Sequence, residues 1–130
     1  MFLNRLNVKQ KENFIELAYM VAGADGNYTS EEKKMMEIYK HETELYKYSR
    51  KNKDLDKILS SFNDSVSQNI LLVEIMGLIL SDSRFHVKEK EIVTKIISHF
   101  GISREKLDKV KKWVLFQMRA YKNGEKLIYD

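Results

Sequence analysis

Apolar residues recur through most of the chain at the three- and four-residue spacing of an amphipathic α-helix. The spacing predicts helices at about residues 9–23, 30–46, 55–62, 65–81, 88–100 and 103–123. Thr29 and Glu32 have the spacing of a capping box, and Ser103 can cap the last helix. Gly101 and Gly124 are placed to end the fifth and sixth helices. The chain has no proline and only five glycines, so we expect an all-α fold of six to seven helices.

The fourth predicted helix is apolar on nearly every side, and we expect it to lie at the centre of the fold. Gly77 within it costs helix stability, about 1 kcal/mol relative to alanine, and indicates the close approach of another helix. The apolar run at 70–80 is eleven residues long and contains Glu74, so it is too short and too polar to span a bilayer. Trp113 lies on the apolar side of the last helix and is expected in the core.

Composition narrows the classes of protein that remain. The length of 130 residues is common for one domain, and 43% apolar with 32% charged residues is typical of a globular chain. No linker divides the chain, so residues 1–130 are predicted to form a single compact domain. The absence of cysteine excludes a disulfide framework, a thiolate zinc site and a cysteine nucleophile. The first residues lack a signal-peptide pattern, and we expect a cytoplasmic protein.

Two segments of the chain match each other at an offset of 57 residues. In each, an apolar helix ends in a small residue and Asp, an aromatic residue that could plug the turn follows three positions later, and Glu follows seven positions later. The matched pairs are Asp25 and Asp82, Tyr28 and Phe85, and Glu32 and Glu89. The match predicts two helix–turn–helix repeats, at about 9–46 and 65–101, related by a pseudo-twofold axis. A C-terminal helix at about 103–123 follows them.

The repeated acids form a candidate metal site. If the repeats pack symmetrically, four carboxylates converge: Asp25, Glu32, Asp82 and Glu89. Such a cluster repels itself unless protonation, a Lys or Arg partner, or a divalent cation neutralises it. Oxygen ligands suit Ca²⁺, Mg²⁺ or Mn²⁺, although the spacing is not that of an EF-hand loop. The candidate accessory ligands are Asn27, Glu31 and Glu74.

A structural interpretation of the same acids stays open. Turns and helix dipoles favour Asp at a helix end and Glu in a first helical turn, and Glu32 can serve simply as the capping partner of Thr29. In that case the protein is an interaction module that docks a protein partner on its helical surface.

Other kinds of chemistry have little support in the sequence. The three histidines lack ligand spacing, and no catalytic triad, phosphate loop or dinucleotide motif is present, so we expect no enzymatic activity. The net charge of +4 is mild. The densest basic stretch, residues 47–53, lies close to two tyrosines and has the look of a weak nucleic-acid or anionic-surface patch. It accompanies no known recognition motif, so sequence-specific nucleic-acid binding is not expected.

The sequence Ala-Gly-Ala-Asp-Gly-Asn-Tyr-Thr-Ser-Glu-Glu at 22–32, with its second copy at 81–89, resembles the TerB-like family. That family includes tellurite-resistance proteins and N-terminal domains of membrane-anchored DnaJ-like co-chaperones. The resemblance covers about residues 9–114 and implies two related helical repeats, an acidic metal site at the Asp and Glu positions, and a non-enzymatic role in stress response. It also implies protein partners in membrane-associated complexes. The second copy departs from the pattern, since Ser83 replaces the glycine and Arg84 places a positive charge beside Asp82.

Overall fold

The computed structural model describes residues 1–24, 26–82 and 86–130, without the side chain of Asp82. Every regular element within these residues is helical. The α-helices are α1 (Val8–Ala22), α2 (Ser30–Thr43), α3 (Leu55–Ser60), α4 (Ser65–Ile79), α5 (Val87–Phe100) and α6 (Arg104–Tyr129). Short 3-10 turns lie at Leu3–Arg5 and Leu80–Asp82. The predicted all-α fold is confirmed, while its division into two related repeats stays a prediction.

Helix α4 forms the centre of the core, as its apolar sequence predicts. Leu71, Leu72, Ile75 and Met76 are completely buried. Helix α1 packs against α4 and against α2 and α3, while α6 packs chiefly on α4. No helix of the described residues is long and apolar enough to cross a membrane.

The predicted caps are formed at three helix ends. The Thr29 hydroxyl accepts a hydrogen bond from the Glu32 backbone N–H at 3.1 Å, and the Glu32 carboxylate accepts one from the Thr29 N–H at 2.9 Å. Ser103 caps α6 by accepting a hydrogen bond from the backbone of Lys106. Gly101 ends α5 in the left-handed conformation, at φ +68°. Such caps satisfy backbone groups that the helix itself leaves unpaired.

Two helix ends differ from the prediction. Helix α2 stops at Thr43 rather than near residue 46, because Glu44 adopts a left-handed conformation at φ 60° and closes the helix. Helix α6 does not end near Gly124 but continues to Tyr129. A single glycine costs a helix only about 1 kcal/mol, and Glu125, Lys126 and Leu127 after it favour helix, so the helix continues past Gly124.

The expected close approach at Gly77 is wrong. A β-carbon added at this position would meet no atom within 4 Å beyond its own helix. Gly77 is half-buried and faces an opening beside α4 rather than another helix.

Two aromatic residues are more exposed than predicted. Trp113 is 42% exposed and packs against the ring of Phe2, with ring centroids 6.0 Å apart, so the prediction that it lies in the core is wrong. Tyr28 is 41% exposed, and the Lys33 ammonium lies over its ring at 5.6 Å, so Tyr28 does not plug its turn. Its predicted counterpart Phe85 lies outside the described residues.

Candidate functional site

The two predicted glutamates occupy equivalent positions in the first turns of α2 and α5. Glu32 is 4% exposed and Glu89 is 2% exposed. Each carboxylate accepts a hydrogen bond from a backbone N–H three residues earlier, Glu32 from Thr29 at 2.9 Å and Glu89 from His86 at 3.0 Å. Negative charge in a first helical turn is also favoured by the helix dipole. Both residues therefore stabilise the start of their helices.

The convergence of the four predicted carboxylates stays untested. Asp25 and the side chain of Asp82 lie outside the described residues, as does Arg84. Within the described part of the chain, no group of three or more His, Asp or Glu side chains is arranged to hold a metal ion. Of the accessory candidates, Asn27 and Glu31 are exposed near the start of α2, and Glu74 lies in a different setting on α4.

An apolar groove runs between α2 and α6, with α4 as its floor. Its open volume is about 440 Å³. The apolar side chains along it come from all three helices: Met35, Ile38, Tyr39, Val73, Trp113, Val114, Met118 and Tyr121. Gly77 belongs to the floor, where its missing side chain deepens the groove.

The groove exists because only the first half of α6 is packed into the core. Leu107, Val110 and Val114 are buried, but residues 119–130 are exposed except for the half-buried Gly124. The second half of α6 lines one side of the groove but does not pack down onto α4 to fill it. Trp113 and Ile38, which is 49% exposed, lie on opposite walls.

Charge is concentrated at the groove side of α4. The Met1 ammonium donates to the Glu42 carboxylate at 2.6 Å and to the Glu74 carboxylate at 3.0 Å. Burial raises the pKa of Glu74, the ammonium opposes this effect, and the neighbouring Glu42 adds to it, with a raised pKa as the net result. The buried Tyr39 hydroxyl donates to the Glu74 carbonyl oxygen at 3.1 Å, and burial raises the pKa of that hydroxyl well above its usual range.

A second polar centre, at Glu16 on α1, was not predicted. Glu16 is 1% exposed. Its carboxylate accepts hydrogen bonds from the Tyr48 hydroxyl at 2.5 Å and from the backbone N–H groups of Lys51 and Lys53 at 2.7 and 3.2 Å. Burial alone would raise the pKa of Glu16, but these hydrogen bonds and the charge of Lys53 together outweigh it and lower the pKa.

Glu16 explains the shape of the basic stretch. Asn52, between the two donating residues, has a left-handed φ of 53°, so the N–H groups on either side of it can point at one carboxylate. Arg50 and Lys40 both lie over the ring of Tyr19, at 5.7 and 5.4 Å from its centroid. The stretch is thus held against α1. A buried Glu in an apolar helix followed by a basic loop is the sequence signal for this contact, although it does not identify the partners.

Comparisons with protein-family models, curated proteins and solved structures give no match to this chain. The TerB-like resemblance therefore stays a prediction based on the repeated Asp and Glu pattern. The groove and the Glu16 centre are interpreted from their own geometry.

Proposed function

We propose that this protein is a non-enzymatic interaction module that binds an apolar helical segment of a protein in the groove between α2 and α6. The groove itself is the observation that carries the proposal. Its walls and floor present apolar side chains along three helices, and charged side chains such as Glu42, Lys122 and Glu125 also line it. An amphipathic helix docks in such a groove through side chains at i, i+3, i+4 and i+7.

A helix fits this groove better than a small polar ligand does. Small-molecule sites are concave pockets in which a few convergent polar groups fix the orientation of the ligand. Here the groove is open to solvent, and most of its surface is formed by apolar side chains such as Ile38, Val73 and Met118. Several of the acids have structural contacts instead, since Glu32 and Glu89 cap helices and Glu16 binds a loop.

Divalent-cation binding through Asp25, Glu32, Asp82 and Glu89 is the second proposal. The observation that favours it is the burial of two carboxylates at the same place in α2 and α5, each directly after a predicted acidic turn. A cation between those turns would offset buried negative charge. The thermal assay given in the Discussion tests this proposal.

The groove proposal is tested with Trp113, the only tryptophan of the chain. A designed Leu/Lys amphipathic helix of about 16 residues is titrated into about 0.2 μM protein, and tryptophan emission is recorded. We expect a saturable blue shift as the peptide covers the half-exposed indole. Ile38→Asp places a charge on the opposite wall and should weaken binding at least tenfold, whereas Val66→Asp, at the other end of α4, should bind normally. An unshifted emission at millimolar peptide, with the fold intact by circular dichroism, would refute the proposal.

A further inference from the structure

The second half of α6 carries many exposed apolar side chains. We name residues 115–129 the α6 tail. Met118 is half-buried, but six large apolar residues of the tail are between 48% and 83% exposed: Leu115, Phe116, Tyr121, Leu127, Ile128 and Tyr129. A helix that is apolar on more than one side is normally buried on more than one side. In the part of the chain that the structure describes, nothing covers these side chains.

The apolar stripe of α6 changes environment along its length. Leu107, Val114, Tyr121 and Ile128 follow one another at intervals of seven residues and so lie along one face of the helix. The first two are buried at 8% and 3% exposure, whereas Tyr121 and Ile128 are 66% and 77% exposed. The apolar face by which α6 packs into the core thus continues along the helix beyond the end of the core. A continuation of this kind is the pattern of a helix that packs against a second partner.

We propose that the groove of one copy receives the α6 tail of a second copy, so that the protein forms a twofold symmetric dimer. This inference rests on the proposed function, because it names the helix that occupies the same groove. Each copy has both an unfilled apolar groove and an uncovered apolar helix, and α6 contributes to both. In a twofold symmetric dimer the tail of each copy lies in the groove of the other, so one interface covers both tails and both grooves.

Area is consistent with a stable dimer. Aromatic side chains bury about 150–250 Å² each and aliphatic side chains somewhat less, so the six exposed side chains of the tail offer on the order of 700 Å² per copy. A standard stable interface buries roughly 800 Å² per partner. The contribution of the groove walls, including the half-exposed Ile38 and Trp113, brings the interface into that range.

Charge is also complementary. Arg119, Lys122 and Lys126 follow one another at three- and four-residue spacing and form a basic strip beside the apolar face of the tail. The groove carries Glu42, whose side chain is 27% exposed although it pairs with the Met1 ammonium, and the buried Glu74, which pairs with the same ammonium. Lys122 lines the groove of its own copy. A tail lying in the groove of another copy can place Arg119 and Lys126 near the exposed part of Glu42, which favours encounter.

A membrane surface is the other partner that could cover the α6 tail. Basic amphipathic helices with aromatic residues do bind anionic membranes. A membrane would cover the exposed side chains of the tail but would leave the groove between α2 and α6 unfilled. A second copy covers both surfaces and is therefore favoured.

The association state of the purified chain is the first measurement. Sedimentation velocity from about 0.5 to 100 μM should show a monomer–dimer equilibrium for the unmodified chain. The tail variant Leu127→Glu with Ile128→Glu should be at least tenfold weaker in dimerisation. The groove variant Gly77→Leu should be weakened as much, because its new side chain points into open space and occupies the groove. The control variant Val66→Glu, which places a single negative charge on a 64% exposed valine away from the groove, should dimerise normally.

Mixing the two defective variants tests the exchange directly. The tail variant retains an intact groove and the groove variant retains an intact tail, so a mixed pair regains one of the two contacts. We expect mixed dimers from the two variants at concentrations where neither forms dimers alone. A dimer that does not respond to Gly77→Leu, or the absence of mixed dimers, would overturn the exchange of tails into grooves. Circular dichroism of each variant establishes that it remains folded.

The outcomes also separate this inference from the proposed function. A chain that is monomeric up to 100 μM overturns the dimer, and if it still binds the Leu/Lys helix, the groove keeps its proposed role. Co-sedimentation with vesicles of phosphatidylglycerol and phosphatidylcholine completes the test. A monomer that binds these vesicles, and loses that binding in the tail variant, overturns the dimer in favour of a membrane surface.

Discussion

Gly77→Ala tests the finding that the central helix faces open space at this position. Replacing glycine by alanine in a helix interior gains up to about 1 kcal/mol through backbone entropy. The new methyl group would meet no atom within 4 Å, so no clash offsets this gain and little packing adds to it. We expect the free energy of unfolding to rise by about 0.5–1 kcal/mol. With an unfolding entropy of about 2.1 cal/mol/K per residue over 130 residues, the melting temperature should rise by about 2–4 °C.

The assay is urea denaturation followed by circular dichroism, with a thermal melt as a second readout. Gly101→Ala is the matched control, because Gly101 has φ +68° and a left-handed alanine costs about 1–2 kcal/mol. The same substitution should thus have opposite effects at the two positions. Measurement at two protein concentrations separates the effect on the fold from any effect on self-association. A loss of 1 kcal/mol or more in Gly77→Ala would refute the open groove and restore the close helix approach.

Three further predictions concern acidic side chains. Glu16→Gln should lose about 1–3 kcal/mol at pH 7 and expose residues 47–53 to trypsin, because three hydrogen bonds to the carboxylate are disturbed. Since folding lowers the pKa of Glu16, its stabilising effect is present above the unfolded value near 4.5 and is lost as the pH falls through the folded pKa, so the gap to the variant should narrow in acid. For Glu74 the sign is reversed: folding raises its pKa, so this carboxyl lowers the stability of the unmodified chain as the pH rises above about 4.5. Glu74→Gln should remove this pH dependence from the urea midpoints measured between pH 4 and 7. An unchanged pH dependence would contradict the raised pKa. Millimolar Ca²⁺, Mg²⁺ or Mn²⁺ should raise the melting temperature if the acidic turns bind a cation, with Asp25→Asn reducing the rise more than Asp82→Asn; no rise with any ion would leave the acids as helix caps.

The fold was predictable because its signals are local. The spacing of apolar residues identifies α4 as the central helix, and the caps at Thr29, Ser103 and Gly101 are formed by residues within a few positions of one another. Local signals were misleading where the same residue pattern is compatible with two different structures. Gly124 can end a helix or be tolerated inside one, and the geometry of α6 shows the second.

The groove and the Glu16 centre depend on distances that sequence spacing does not give. Ile38 and Trp113 are apolar positions on amphipathic helices, and nothing local shows that a gap separates them. A glycine such as Gly77 looks the same whether it admits a neighbouring helix or leaves a space. Glu16 contacts residues 32 to 37 positions away, and no short-range pattern pairs them. The four-acid metal site stays a prediction, because Asp25 and the Asp82 side chain lie outside the described residues.

The Glu16 contact means that the connection between α2 and α3 is not a self-contained loop. Two of its backbone N–H groups, on either side of Asn52, are satisfied by a carboxylate from α1 rather than by residues of the connection. Its conformation is therefore specified from outside the segment. Transplanted between two helices of another protein, residues 44–54 would lose this shape unless an acidic side chain were supplied at the same place. Conversely, a redesign of α1 has to keep Glu16, and also Asn13 and Tyr19, because these three side chains contact the connection as well as belonging to the helix.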